Sequence, residues 1–423
     1  MINVIEKLIA NKRVLILGFG KEGQSTFEII KKLAITKEVY IADKREMEVP
    51  AFADGVITGD KYLDCLDDFD VVFKSPGIVL PKAVDDYSCH ITSQMDLFLK
   101  AYKDRCIGIT GSKGKSTTSS FLCHLLRLKG YHVLLGGNIG IPVFDLIKDI
   151  DEDSIIVLEI SCHQLEYAHN SPHIAVLLNI FEEHLDHYGS FEKYAAAKKN
   201  IFLNQNENDI LYINKDNDQE DYQGHKHLIN KNVLPFSSLD DIEGCSLSGD
   251  HFLFDLAADY EIGKLYGVED DIFYEALRTF KPLPHRLEYF GTYQGIRFYD
   301  DSISTINESA INAIASIKDI GSILIGGLDR GIDYSKLVEY LKEGHVKNIC
   351  LMYASGKKIA DLLGVTELNV AVVENLDEAI DWAFENTGAG HACVLSPAAA
   401  SYGYFKNFEE RGDYFKERVR NHG

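Results

Sequence analysis

The chain has 423 residues, 46% of them hydrophobic and 26% charged, with 33 Gly and 9 Pro. That is globular composition, far from disordered, collagenous or repeat sequences, and at roughly 100 to 200 residues per domain it implies about two to four domains. Lys and Arg number 43 against 65 Asp and Glu, a net charge of −22, which excludes a broad basic footprint for nucleic acid or an anionic membrane; an anionic ligand must be held by local cations.

The N-terminus, MINVIEKLIANKRVLILGFG, lacks a basic stretch followed by a long apolar run and a small-residue cleavage site. No apolar run reaches the ~18 residues of a membrane span, so a cytoplasmic chain is expected. The eight cysteines (Cys65, Cys89, Cys106, Cys123, Cys162, Cys245, Cys350, Cys393) are scattered without a CxxC pair. They are expected as reduced, buried small hydrophobes rather than as disulfides or zinc ligands.

The first strand-like run, Arg13 to Gly18, leads into Gly18-Phe19-Gly20-Lys21-Glu22-Gly23 and then a helix. The second, Val39 to Asp43, ends on an acid 20 residues after Gly23. This is the context of a dinucleotide fingerprint, where backbone N–H groups meet a phosphate and the acid accepts from a ribose hydroxyl. It fits NAD or any nucleotide diphosphate, and a tight turn with no ligand fits it too. A third run, Val71 to Ser75, and a helix-like segment, Gln94 to Tyr102, complete a first region that ends near Lys100.

Cys106 to Thr110 then opens Gly108-Ile109-Thr110-Gly111-Ser112-Lys113-Gly114-Lys115-Ser116-Thr117. A strict P-loop has Gly where this chain has Ile109, yet the working parts remain. Gly111 and Gly114 free backbone N–H groups for phosphates, Lys115 reaches the β/γ oxygens, and Ser116 or Thr117 can hold Mg²⁺. Runs at His132–Gly136, Ile155–Ile160, Ile174–Asn179 and Ile210–Asn214 follow. Glu159 opens Ser161-Cys162-His163-Gln164-Leu165-Glu166, and Asn179 opens Glu182-Glu183-His184-Leu185-Asp186-His187. Parallel sheets place ligands at such strand ends, so both segments can converge on the phosphates; a solvated acidic loop is the other reading of 182–187.

Asn204 to Gly249 is polar and irregular, with room for one or two strands. Pro282 and Pro284 interrupt any helix and set a second boundary. Beyond it lie Ile296–Tyr299, Ser322–Gly326, Asn348–Met352, Val370–Val373 and Cys393–Leu395. Most runs are continuously apolar, as in strands buried on both faces of a parallel sheet, so the chain is α/β throughout.

In order and spacing, TGSKGKST, Gly136-Gly137-Asn138-Ile139-Gly140, Glu159 with SCHQLE, Asn179 with EEHLDHY, and Tyr194-Ala195-Ala196-Ala197-Lys198 resemble the Mur ligase family. Gly18 to Gly23, Ser75-Pro76-Gly77-Ile78, His285-Arg286-Leu287-Glu288, Asp301-Ser302-Ile303-Ser304-Thr305 and Leu395 to Ser401 extend the resemblance over essentially the whole chain. It implies three domains: an N-terminal Rossmann-like domain (1–99) for a UDP moiety, a central P-loop ATPase α/β domain with a mainly parallel sheet (100–283), and a C-terminal Rossmann-like domain (284–423) for the incoming amino acid.

The implied activity is an ATP-dependent amide-bond ligase of peptidoglycan precursor synthesis. It adds D-glutamate to UDP-N-acetylmuramoyl-L-alanine through an acyl phosphate, with ATP and Mg²⁺, as a monomer without nucleic acid partners. By the same resemblance, Gly20, Lys21, Glu22, Gly23, Asp43, Lys44, Arg45, Ser75, Pro76 and Gly77 surround the UDP moiety, which replaces NAD as the ligand of the fingerprint. Asn138 and His184 meet the muramoyl-alanine end or its metal. Gly111 to Thr117, Arg286 and Asp301 hold ATP. Ser116, Thr117, Glu159, His184 and a carbamylated Lys198 order metal ions; Lys115, Asn138, His184 and Lys198 form the catalytic set. Thr305, Arg330, Ser401 and Phe408 surround the D-glutamate carboxylates.

Three departures stand out, one of them a short, polar region before Gly249 that implies a trimmed hairpin. The family's Gly-x-His-Asn-x-x-Asn falls on Gly249 to Asp255, so Phe252 and Asp255 replace two asparagines. Asp255 then takes the place of an adenine-reading amide, and an aspartate that only accepts leaves adenine N7 without a donor. Ile303 stands where many members have Lys. A Mur-type ligase for another amino acid, a folylpolyglutamate synthase, a noncatalytic nucleotide-binding homologue and an NAD-dependent dehydrogenase are the competing readings.

Overall fold

The computed structural model describes residues 1–422 apart from 182, 183, 219, 220, 246, 248–251, 282 and 318. Glu182, Glu183, Gly249 to His251 and Pro282 therefore lie outside the described residues. Contacts divide the chain into two compact units, Met1–Cys245 with Phe252–Phe280, and the residues from Lys281 onwards.

The first unit holds two parallel sheets. After helix α1 (Ile2–Ile9), strands β1 (Arg13–Leu17), β2 (Glu38–Asp43), β3 (Gly55–Thr58), β4 (Val71–Lys74) and β5 (His90–Thr92) form a sheet in the order β3-β2-β1-β4-β5, with α2 (Lys21–Leu33) and α3 (Gln94–Tyr102) between and after them. The order reverses at β1, which places the Gly18–Gly23 turn at the crevice where such sheets take ligands.

The second sheet contains β6 (Cys106–Thr110), β7 (Val133–Gly137), β8 (Ile155–Glu159), β9 (Ile174–Leu177), β10 (Ile210–Ile213) and β11 (His225–Leu228) in the order β11-β10-β9-β6-β8-β7. Its helices are α4 (Lys115–Leu128), α5 (Cys162–Leu165), α6 (Leu185–Tyr188), α7 (Phe191–Leu203), α8 (Leu253–Leu265) and α9 (Asp270–Thr279). Central β6 is buried at every residue and flanked by β8 and β9, so the segments after these three strands share one sheet end. One apolar core runs from Ile5 and Val14 through Phe98 and Leu99 to Ile156 and Ile213, joining both sheets. The expected cut at 99/100 falls inside α3.

The second unit is a mixed sheet, β12-β13-β17-β14-β15-β16, built from β12 (Glu288–Tyr293), β13 (Ile296–Asp300), β14 (Ile320–Gly326), β15 (Asn348–Met352), β16 (Asn369–Val373) and β17 (Ala392–Leu395). Only β12 is antiparallel, joined to β13 by Gln294-Gly295, both at positive φ as a tight hairpin turn needs. Helices α10 (Asn307–Ser316), α11 (Ser335–Lys342), α12 (Tyr353–Leu363), α13 (Leu376–Asn386) and α14 (Phe408–His422) surround it.

The eight cysteines form no disulfide with one another; six are buried, and Cys65 and Cys245 are half-buried. Among the described residues no helix is long and apolar enough to cross a membrane.

Candidate active site

The C-terminal ends of β6, β8 and β9 assemble a charged centre. Lys115, the first residue of α4, turns its ammonium back onto the loop, donating to Gly111 O at 2.8 Å and Ser112 O at 2.9 Å. Lys198, 1% exposed on α7, donates to the same Gly111 O at 2.8 Å. Two cations thus converge on one carbonyl in a chain of net charge −22. Tyr194 ties the arrangement together: its hydroxyl meets Ser112 Oγ at 2.7 Å, its ring lies 4.9 Å from Lys198 Nζ, and it stands 6.0 Å from the His184 ring. Asn179 fixes the loop's other side, accepting from Lys113 N at 2.8 Å and donating to Lys113 O at 3.1 Å.

Glu159 ends β8 and is 2% exposed. Asn138 Nδ2 donates to its Oε1 at 2.6 Å, while Oε2 is buried with no hydrogen-bond partner among the described residues. A buried carboxylate oxygen without a donor is costly unless a cation meets it. The N-terminus of α4 has no side-chain cap, so its first N–H groups face the loop. Uncapped N–H groups and ammonium ions suit phosphate; Glu159, the Ser116 and Thr117 hydroxyls and the His184 imidazole are donors suited to a divalent cation. The residues therefore fit both ATP and Mg²⁺.

Gly114 adopts φ +86°, and a Cβ there would lie 2.5 Å from Asp255 Oδ2 and 2.6 Å from Oδ1. Asp255 on α8 is thus pressed against the phosphate loop. Burial pushes its carboxyl up to about 7, opposed by the Lys115 charge. A carboxyl raised this far is protonated part of the time near neutral pH, and in that form it donates as well as accepts. Asp259, one turn on, is fully buried, and neither oxygen has a hydrogen-bond partner among the described residues; burial and the neighbouring Asp255 raise its carboxyl well above the usual range. Sequence reading missed it; its only signal is the i, i+4 spacing from Asp255.

A histidine group flanks His184. The His163 ring is 4.9 Å from His184 and 4.5 Å from His187, and His187 Nε2 meets Glu166 Oε2 at 3.0 Å.

At the end of β2, Asp43 accepts from Phe19 N at 2.8 Å and from Arg45 Nε and Nη2, each at 3.0 Å. Arg45 holds its carboxyl down at about 2. Ser75 Oγ donates to Gly18 O at 3.0 Å, so the fingerprint and the Ser75–Gly77 turn form one locus. Lys21 and Lys44 are exposed beside it. Glu22 is bound by Gln164 Nε2 at 2.6 Å, which links α2 to α5. Lys74, absent from the expected set, is 5% exposed and 4.6 Å from the Tyr167 ring. Burial draws its ammonium down to about 8 against the pull of Glu166 and Glu22.

In the second unit, the ends of β13, β17 and β14 carry the remaining candidates. Asp301 is buried, accepts from Ser396 Oγ at 2.7 Å and Leu287 N at 3.2 Å, and is pushed up to about 7 by burial. Arg286 is exposed between His285 and Leu287, both at positive φ. Thr305 and Phe408 are half-buried, Ser401 is buried and Arg330 exposed. Ligand atoms of His285, Glu288 and Asp300 lie within 4.8 Å of one another. Lys416 Nζ supplies the cation there, 3.0 Å from Glu288 Oε2 and 3.8 Å from Asp300 Oδ2, so this is an ion-pair cluster and not a metal centre.

Residues 109–245 match the Mur ligase middle domain. A UDP-N-acetylmuramoylalanine–D-glutamate ligase from Clostridium tetani is 32% identical, covering 99% of this chain and 99% of its own.

The chain belongs to the Mur ligase family.

A ligase of the same name from Acetivibrio thermocellus is also 32% identical, over 99% of this chain and 98% of its own. The fold agrees with solved Mur ligases: MurF from Thermotoga maritima in complex with ADP superposes with a TM-score of 0.60 at 17% identity (100% and 98% coverage), and MurC from the same organism with 0.59 at 18% (97% and 100%). As a Mur ligase the chain is an ATP-dependent enzyme of peptidoglycan precursor synthesis.

Proposed function

We propose that this Mur ligase joins D-glutamate to UDP-N-acetylmuramoyl-L-alanine, using ATP and giving ADP and phosphate. The relatives that share its full length carry that name. The observation that carries the reading is the centre around Gly111, where Lys115 and Lys198 converge, while Glu159 at the end of the neighbouring strand keeps an oxygen with no partner among the described residues.

A carboxylate does not acylate an amine at neutral pH, so it must first be activated. Its attack on the γ-phosphorus of ATP gives an acyl phosphate, which the amine then opens with loss of phosphate. The first step brings two anions together, and the residues here serve that step. The uncapped N–H groups of α4 and the Lys115 ammonium hold the phosphates; Ser112, pinned by Tyr194 and by Phe181 N at 2.9 Å, fixes the loop's shape. Asn138 holds Oε1 of Glu159, which leaves Oε2 as the atom that would meet a cation. Ser116, Thr117, Glu159 and His184 would hold Mg²⁺, which supplies charge neutralisation for the phosphate oxygens.

Lys198 is buried and aimed at the loop, not at solvent, which supports a carbamylated form acting as a metal-ordering carboxylate. Asp43, Arg45, the Gly18–Gly23 turn and Ser75–Gly77 take the UDP moiety. Arg286 and Asp301 serve ATP, and Thr305, Arg330, Ser401 and Phe408 the D-glutamate. The work divides over residues 1–99, 100–283 and 284–423, in a cytoplasmic monomer.

Lys115→Ala tests the division. It should abolish ATP-dependent turnover while UDP-substrate binding, measured by calorimetry, stays within about twofold, because that site is built on the first sheet. Loss of both together would contradict it.

A further inference from the structure

Arg411 is a fully buried side chain of α14. Its guanidinium donates from Nε to Ser302 Oγ at 2.9 Å, from Nη2 to Ser302 O at 2.8 Å and from Nη1 to Ala399 O at 3.1 Å. A Cβ on Gly327 would stand 3.1 Å from Nη1. Ser302 follows β13, Ala399 follows β17 and Gly327 follows β14, three strands that are neighbours in the sheet. One side chain therefore sits where all three strand-end loops meet.

Every acceptor it uses is neutral. Among the described residues no carboxylate oxygen lies within 4.0 Å of it, although Lys416 on the same helix has three acidic partners. Burial lowers its pKa to about 10, so it stays charged at neutral pH. Buried Asp300 acts on it through its charge, raising its pKa without forming an ion pair; a buried cation with no ion pair is expensive, and a purely structural link between loops needs no charge. The rest of α14 strengthens the placement: Phe408 O accepts from Ser302 Oγ at 2.8 Å, and a Cβ on Gly412 would lie 2.2 Å from His285 Nδ1. Phe408, Arg411, Gly412 and Lys416 share one helical face.

We propose that Arg411 is a positioning residue for the incoming amino acid, fixing the loops that carry Thr305, Arg330 and Ser401 and setting a fixed positive charge behind them that favours a dianionic substrate. The proposal rests on the D-glutamate reading above. A charge whose hydrogen bonds all go to neutral acceptors keeps part of its field for the ligand despite Asp300, and the planar fork spans two loops as an ammonium cannot.

The test compares the unsubstituted enzyme with Arg411→Lys, Arg411→Met and Ser302→Ala, measuring KM for D-glutamate, KM for the UDP-linked substrate and Tm. Arg411→Met should raise the D-glutamate KM about tenfold or more, with Arg411→Lys intermediate because it keeps the charge. The KM for the UDP-linked substrate should stay within about twofold, since that ligand is held by the first sheet. If Arg411→Met does not fold, Ser302→Ala, which removes the Nε acceptor without altering charge, must still raise the D-glutamate KM. Folded variants with an unchanged D-glutamate KM, or with both KM values rising equally, overturn this proposal alone. Absence of D-glutamate-dependent turnover in the unsubstituted enzyme overturns the assigned substrate and this proposal with it.

Discussion

Asn138 and Glu159 form a half-satisfied pair: the amide donates to Oε1 at 2.6 Å and leaves Oε2 buried with no partner among the described residues. Asn138 N also donates to Glu159 O at 2.8 Å, so backbone and side chain together fix the carboxylate's direction. Such a pair costs stability unless a cation completes it. Glu159→Gln should therefore leave the ligand-free Tm unchanged or higher, abolish the Tm rise on adding Mg²⁺ with ATP, and lower turnover by ~100-fold or more. A full Mg²⁺–ATP shift in the variant would contradict the role.

Gly114 is the point at which the phosphate loop and α8 touch. Gly114→Ala combines φ +86° with oxygens of Asp255 at 2.5 and 2.6 Å, and should destabilise the enzyme by about 2 kcal/mol or more, of which ~1 is the left-handed backbone. Adding Asp255→Ala should recover the steric part only. A double variant whose loss equals the sum of the single losses would show that the two residues do not interact.

Asp301 gives a pH signature. Its folded pKa is about 7, raised by burial, against ~3.9 for an unperturbed aspartate. Between those values the folded chain keeps a proton that the unfolded chain releases, so this group's contribution to stability falls as pH rises from about 4 to about 7 and is flat above. Asp301→Asn should gain Tm relative to the parent on going from pH 5 to pH 8, while losing activity. A constant difference across that range would contradict the assignment.

Lys198 predicts a chemical modification. Labelled bicarbonate should give a carbamate resonance that disappears in Lys198→Ala, and turnover should fall when carbon dioxide is removed and return when it is restored. Activity indifferent to carbon dioxide would exclude the carbamate.

What could be read beforehand divides along physical lines. Every interior strand was visible as a strand-like run, most of them continuously apolar, whereas the four strands with no run of their own, β3, β5, β11 and β12, all lie at sheet edges. There one face meets solvent and the burial patterns are mixed, so no apolar run marks them. The phosphate loop and Glu159 were legible because their chemistry is local: glycines, a lysine and an acid at strand ends. Arg411 and Lys74 were not. Arg411 is buried by Ser302, 109 residues away, and Lys74 by Tyr167 and α5; in the sequence each is one more basic residue at the edge of a polar stretch.

The central claim is the substrate pair. Phosphate release from ATP should be measured with UDP-N-acetylmuramoyl-L-alanine and, in turn, D-glutamate, L-glutamate, L-lysine and glycine. The account predicts release only when the UDP-linked substrate and D-glutamate are both present; release without the UDP-linked substrate, or supported by another of these amino acids, would contradict it.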